Sequence, residues 1–306
     1  MRPLTAISSG LLLAACLLAT GASAQSGGSE GLSPTLSAIK NAHAVRLGYR
    51  ESSPPFSFLD QANRPIGYSL ELCEAIVEEI GVEVDDPNLR IDYVKVTSDD
   101  RIDAVLQNKI DLECGSTTAN SERGKRVAFS PLMFVAGTKL MVPKASSVQQ
   151  LTDLKGKTIV VTKGTTNEQA VQAADKKLSL GLNIAVGADH EQSYQMLVDG
   201  KADAFATDDI LLSGLIVRHK SQDKFRVTGD YLSYDPYGIM FRKGEPQLAA
   251  VVERTFRKLG SNHDLVPLYN KWFIARMPTG EKMNVPISLQ LEEAFKAMDD
   301  SASANN

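Results

Sequence analysis

Between residues 45 and 273, short apolar runs alternate with segments whose apolar residues recur every three or four positions, the signatures of strands and amphipathic helices taken in turn. The runs predict strands at Val45–Tyr49, Arg90–Val96, Ile110–Glu113, Thr158–Thr162, Asn183–Val186, Ala202–Ala206 and Gly238–Arg242. The periodic segments predict helices at Ser69–Ile80, Asp99–Asn108, Asn167–Lys177, Gln192–Val198, Pro246–Leu259 and Val266–Phe273. In the first helix Leu72, Cys73, Ile76 and Ile80 share a face, Ser69 stands where an N-cap is needed, and Gly81 supplies a left-handed stop. Its other face, Glu71, Glu74, Glu78 and Glu79, reads as a solvated surface and not as a catalytic cluster. Strands alternating with helices in this way give an α/β fold with largely parallel sheets.

The chain's ends behave differently. Arg2 precedes an apolar stretch from Leu4 to Thr20 that exits through Ala22, Ser23 and Ala24, the layout of a secretory signal peptide over residues 1–24. Leu13, Ala14, Ala15 and Cys16 also spell a pattern that resembles a lipoprotein cleavage site, which would leave Cys16 lipid-modified. Residues 25–32 (QSGGSEGL) form a flexible leader, and residues 301–306 a polar tail without a packing face. Beyond the signal no apolar run approaches the roughly 18 residues a membrane span needs. Export would place Cys73 and Cys114 where a disulfide persists, but spacing leaves open whether they pair or are two small buried hydrophobes.

Composition narrows the function. A length of 306 residues accommodates two domains at roughly 150 residues each. Lys and Arg number 33 against 37 Asp and Glu, and a net charge of −4 provides no field attractive to nucleic acid or to an anionic membrane. Four His and three Cys include no C-x-x-C and no H-E-x-x-H, so neither a metal site nor a cofactor is expected.

A faint internal echo locates the chemistry. Asp99–Thr118 and Glu191–Ile210 each read as helix, polar turn, short strand, polar loop, and each delivers polar side chains just beyond a strand's carboxyl end, where open α/β sheets bind ligands. In the first unit Ser116, Thr117 and Thr118 offer hydroxyls and amides, and Arg123 follows with a planar fork able to take a carboxylate; the plainer reading is a capped loop beside a surface Arg. In the second, Asp208 closes a strand and either accepts from an ammonium group or caps the next helix, as Asp209 equally can. Gly164, Thr165 and Thr166 open a helix whose amides attract anions, yet the phosphate-binding G-x-x-x-x-G-K-[ST] pattern is absent. Arg50 follows the first strand, Arg101 lies in the first turn of a helix capped by Ser98, and His190 sits in the loop ADHEQS. Arg at a helix N-terminus is unfavourable with the dipole and asks for an anion, which neighbouring Asp99 or Asp100 could supply. His190 taken alone reads as an exposed loop residue.

With these residues in order, the chain resembles periplasmic solute-binding proteins for polar amino acids, specifically the glutamate/aspartate branch. GYRESSPPFSF, GYSLELC, TSDDRI, DLECGSTTANSERGKRVAFS, DLKGKTIVVTKGTTNE, ADHEQS, AFATDDILL and YGIMFRK carry the likeness, from about Leu36 to Phe295. The resemblance implies a two-lobed type II periplasmic-binding-protein fold with a ligand cleft between lobes, lobe 1 comprising residues 33–138 and 238–306 and lobe 2 residues 139–237. It implies a monomeric protein of the periplasm that captures L-glutamate or L-aspartate and delivers it to an ABC-transporter permease, without catalysis. Hinges are then expected near Gly137–Leu140 and Tyr237–Ile239. Arg123 with Thr118 would hold the α-carboxylate, and Asp208 with the Ser116 region the α-ammonium. Arg50, Arg101 and His190, with Ser98 and the Thr165/Thr166 turn, would hold the side-chain carboxylate. Two rivals share the framework: an exported enzyme resembling cyclohexadienyl dehydratases, for which His190 or Glu113 would have to serve as the acid, and a binding module that reports to a sensor or chemoreceptor.

Overall fold

The computed structural model describes residues 31–303, with side chains through residue 299. The expected export signal, Cys16 and the leader up to residue 30 lie outside the described residues. In chain order the elements are α1 (Pro34–Ala42), β1 (Ala44–Tyr49), β2 (Ser52–Ser53), β3 (Ser57–Leu59), β4 (Pro65–Ile66), α2 (Tyr68–Val84), β5 (Arg90–Lys95), α3 (Arg101–Leu106) and β6 (Leu112–Glu113). Next come β7 (Val127–Phe129), β8 (Phe134–Ala136), β9 (Thr138–Pro143), β10 (Thr158–Thr162), α4 (Thr166–Leu178), β11 (Asn183–Gly187), α5 (His190–Val198) and β12 (Ala204–Asp208). The chain ends with α6 (Asp209–Arg218), β13 (Phe225–Thr228), β14 (Asp235–Tyr237), β15 (Met240–Arg242), α7 (Pro246–Ser261), α8 (Leu265–Phe273) and α9 (Leu289–Ser303).

Two five-stranded sheets organise the molecule. The first runs β5-β1-β6-β15-β7 and the second β11-β10-β12-β9-β13. β1 is parallel to β5 and β6, and β10 to β11 and β12, whereas β15, β7, β9 and β13 pair antiparallel. The sheets are therefore mixed, and the parallel expectation holds for three strands of each. β8 and β14 form an antiparallel ribbon in which Phe134 opposes Tyr237. That ribbon carries the chain out of the first sheet into β9 and back from the second into β15.

Strands β6, β10 and β12 are buried on both faces, whereas β5 and β11, equally legible, are half exposed, and the buried β9 is missing from the predicted strands. In β10 Ile159 and Val161 pack into one apolar cluster with Leu140, Val171 and Ala206, while Val160 packs into another with Phe205, Leu212 and Leu215, so both alternating sets must be apolar. Beside the first sheet, Leu47, Ile76, Val252, Trp272 and Phe273 share a core in which Phe56 meets Tyr68, Phe134, Tyr237 and Phe273 at 5.0–6.1 Å between ring centroids. Cys73 on α2 and Cys114 just after β6 are disulfide-bonded, with Cα atoms 6.2 Å apart, which resolves the open question about them.

Several local expectations are corrected. α2 begins after Gly67 and runs through Gly81 to a left-handed Asp85, because Asp86 N–H reaches back to the Gly81 carbonyl. Ser69 lies inside that helix and its hydroxyl donates to the Gly115 carbonyl at 2.7 Å instead of capping. Glu79 is buried against Arg254 and Lys258 of α7, so that part of the acidic face is an inter-helix contact. α3 is preceded by Asp100, not capped by Ser98; the turn is closed by Thr97 and Asp100, which exchange hydrogen bonds. His190 opens α5 behind an Asp189 cap and is buried, not an exposed loop residue. Leu32, assigned to the leader, packs against the first core, and residues 301–303, assigned to the tail, continue α9. Among the described residues no helix is long and apolar enough to cross a membrane.

Candidate functional site

One polar cavity collects residues from strand ends of both sheets. Its walls include all ten residues singled out by the sequence: Arg50, Ser98, Arg101, Ser116, Thr118, Arg123, Thr165, Thr166, His190 and Asp208. Asn167 and Leu211 complete the lining. The strand-end logic holds for both sheets. Arg50 follows β1 and Ser116 and Thr118 follow β6, while the Thr165 turn follows β10 and Asp208 ends β12. The echo between Asp99–Thr118 and Glu191–Ile210 corresponds to α3-β6 and α5-β12, which bring their polar ends to this one cavity.

Three guanidinium groups dominate it. Arg50 is 3% exposed; its backbone N–H donates to Ser57 Oγ at 2.8 Å and its Nη2 to the Ser98 hydroxyl. Arg101 is 2% exposed, reaches only the Gly164 carbonyl at 3.5 Å through Nη1, and leaves a buried Nε with no partner. Arg123 opens a short 3₁₀ turn; its N–H donates to Asn120 Oδ1 and its Nη1 to the Thr118 carbonyl, both at 2.9 Å. Burial pulls all three below the ordinary guanidinium value, and Arg101 furthest, because Arg123 and Arg50 repel it as well.

On the acidic side of the site the sequence offers Asp208 and Glu113 but not Asp235. Glu113, fully buried, stands 3.9 Å from Arg50 with neither carboxylate oxygen hydrogen-bonded. Asp235 accepts from Thr118 Oγ1 at 3.0 Å and from the Ser233 hydroxyl. Asp208 accepts from Asn167 Nδ2 at 2.8 Å and from the Tyr237 hydroxyl, and it makes no side-chain cap to α6. Its carboxyl is pushed up to about 7, by burial first and then by Asp235, against the opposing pull of the Tyr237 and Asn167 bonds. Asn167 sits beside Thr166 in the quoted TKGTTNE stretch, and its second amide bond, to Thr138 Oγ1 at 2.7 Å, ties α4 to β9. No local signal pointed to Asp235 or to the hydrogen-bonding role of Tyr237.

The remaining side chains set orientation. Thr165 caps α4, accepting from Glu168 N–H at 3.1 Å and donating to the Thr162 carbonyl at 2.7 Å. Thr118 and Thr166 hydroxyls meet at 3.2 Å, joining loops that belong to different sheets. His190 Nδ1 shares a 2.9 Å bond with Thr162 Oγ1, and burial, followed by Arg50 and Arg101, holds the imidazole well below its ordinary pKa. It is a neutral hydrogen-bonding group at neutral pH. Among the described residues no cluster of His, Cys, Asp and Glu has the makings of a metal centre.

The cavity thus has a surplus of guanidinium facing one elevated carboxyl, a layout suited to a small anion bearing more than one acidic group and one cationic group. The chain is 38% identical over 273 residues to the L-glutamate/L-aspartate-binding protein of Pseudomonas aeruginosa, covering 89% of this chain and 90% of that one. It is 34% identical over 302 residues to the glutamate/aspartate import solute-binding protein of Escherichia coli, covering 98% of each. Among solved structures, the cysteine-binding protein of Campylobacter jejuni matches with a TM-score of 0.70 and 25% identity over 83% of this chain and 99% of that one. The family model of bacterial extracellular solute-binding proteins, family 3, matches residues 45–275, and with that span, the two mixed sheets and the cavity between their strand ends, the chain belongs to that family.

Proposed function

We propose that this protein captures an acidic amino acid, L-glutamate or L-aspartate, outside the cytoplasm and hands it to an ABC-transporter permease. The observation that carries the reading is the convergence of Arg50, Arg101 and Arg123, from three separate stretches of chain, on one buried cavity that also holds Asp208. A dicarboxylic amino acid presents two carboxylates and one ammonium group, so each of its ends finds a group of opposite charge among the guanidiniums and Asp208, whereas a neutral side chain leaves a desolvated guanidinium without an added anionic partner. The names of the Pseudomonas and Escherichia relatives support the same ligand class.

In this assignment Arg123 and the Thr118 region take the α-carboxylate, and Asp208 with Ser116 the α-ammonium. Arg50, Arg101 and His190, aided by Ser98 and the amides at Thr165 and Thr166, take the side-chain carboxylate. We assign residues 33–138 and 238–306 to lobe 1 and 139–237 to lobe 2, with the ribbon of β8 and β14 leading into the hinges. The protein acts as a periplasmic monomer after removal of residues 1–24. A dehydratase reading requires His190 or Glu113 as proton donor; burial and the nearby Arg50 and Arg101 hold His190 well below its ordinary pKa, and Glu113 stands behind Arg50 and not in the cavity lining. Isothermal calorimetry on the purified chain tests the proposal. One-to-one binding of L-glutamate or L-aspartate with much weaker L-glutamine is expected, and Arg123→Ala abolishes binding of all three. Saturation by neutral amino acids alone, or unchanged affinity in the variant, refutes it.

A further inference from the structure

α6 has two working faces. Leu212, Leu215 and Ile216 pack into the second sheet's core with Phe205 and Met141. Ile210, Leu211 and Val217, on the other side at helical spacing, pack instead with the core of the first sheet. Leu211 on this second face also lines the polar cavity, and at its far end the Arg218 guanidinium lies 5.4 Å from the centroid of the Phe58 ring. Between them in sequence stands Gly214. A Cβ added there would lie 2.2 Å from the Pro54 carbonyl oxygen and 2.9 Å from its carbon, distances no real Cβ adopts.

Gly214 occupies the middle of a helix with no left-handed backbone to justify it, where glycine costs roughly 0.8–1 kcal/mol relative to alanine. The cost is offset only where α6 must touch the Pro54 backbone. The opposite mouth of the cavity shows a second close approach: the turn at Gly164 rests on Ser98 and Asp99, beside a 2.9 Å ion pair between Lys163 and Asp99. Gly164 has a positive φ of 73°, so its own substitution would confound strain with contact. Gly214 is free of that complication.

We infer that Gly214 is an affinity-determining positioning residue: by admitting the Pro54 carbonyl against α6 it lets the two lobes seat fully on a bound amino acid, although it makes no contact with that ligand. The inference rests on the proposed binding function. Ligand enters an open cleft and is retained by closure, so a side chain at position 214 leaves entry intact and speeds escape. In the open, ligand-free cleft Pro54 stands clear of α6, and there alanine, the better helix former, does not cost stability.

The test is Gly214→Ala in the full mature chain, with L-glutamate as probe. Stopped-flow binding should show kon within about twofold of wild type and koff raised at least about tenfold, in keeping with the cost of overpacking a close contact. The ligand-free melting temperature should equal or exceed that of wild type, and small-angle scattering of the glutamate-saturated variant should show a larger radius of gyration than the saturated wild type. Gly214→Ser should give the same direction of change. An unchanged koff in both variants, or a loss confined to kon with a fall in ligand-free stability, overturns the inference while wild-type glutamate binding leaves the functional proposal standing. Absence of glutamate binding by the wild type overturns both.

Discussion

Arg101→Met is the perturbation in which stability and affinity should move in opposite directions. The side chain is 2% exposed, its one hydrogen bond is a long 3.5 Å contact to Gly164, and its Nε is buried without a partner. Burial and repulsion from Arg123 and Arg50 hold its pKa well below the ordinary value, which means the charged form is destabilised whenever the cleft is closed without a ligand anion. Methionine retains the apolar length of the stem and removes the charge. Replacing an under-paired buried charge by a fitting apolar side chain is typically neutral or stabilising by about 1–4 kcal/mol. For a domain-sized protein each 1 kcal/mol moves Tm by roughly 2–4 °C, so scanning fluorimetry without ligand should show an unchanged or higher Tm. With ligand the same group would pair a carboxylate, and truncating one partner of a buried charged pair costs about 2–5 kcal/mol. At about 1.4 kcal/mol per decade this raises the glutamate Kd roughly 30- to several-thousand-fold. Glutamine, lacking the second carboxylate, should lose far less, so the ratio of glutamine to glutamate Kd collapses. A large fall in ligand-free Tm with that ratio intact would refute the reasoning, because Arg101 would then be a structural residue and not part of a carboxylate site.

Two further outcomes follow from groups around the cavity. Asp208, raised to about 7, holds a proton in the folded ligand-free protein at pH values where the unfolded chain has lost it, so its contribution to ligand-free stability declines as pH rises from about 4 to 7. A bound ammonium favours the ionised carboxylate; glutamate affinity should therefore rise between pH 6 and about 7.5 with net proton release, measurable by calorimetry in buffers of different ionisation enthalpy, and proton uptake there would contradict the role. The Cys73–Cys114 bridge closes a separation of 41 residues, worth about 4 kcal/mol by chain entropy, so reductant or the double serine variant should lower Tm by about 8–16 °C; a shift under 2 °C would count against that account.

Ser116, Thr118, Thr165, Thr166 and Asp208 were legible because they end or follow β6, β10 and β12, strands buried on both faces that announce themselves as apolar runs such as TIVV, whereas Ser98, Arg101 and His190 follow the half-exposed β5 and β11 and, with Arg123, gained weight from the family resemblance. Polar residues directly after such runs lie at carboxyl strand ends, and local order alone puts them near a cleft. Short or edge pieces left no comparable trace: β2, β8 and β14 have two or three residues each, and their burial comes from partners far away in the chain. Caps were misread at Ser69 and Ser98 for a related reason. Both hydroxyls are claimed by distant partners, the Gly115 carbonyl and the Arg50 guanidinium, and these long-range bonds outcompete the local turn.

By itself, then, the amino-acid order determined the alternation of strands and helices, the types of side chain offered at strand ends, and the sign of the charge gathered there, since all of these depend on neighbours within a few positions. Tertiary structure alone decided which groups answer that charge and how closely the halves meet. Glu113 beside Arg50, Asp235 beneath Thr118, Tyr237 on Asp208 and Pro54 against Gly214 join residues between 29 and 160 positions apart. Electrostatic and steric contacts of this kind act through space over a few ångströms, and no periodicity along the chain encodes them.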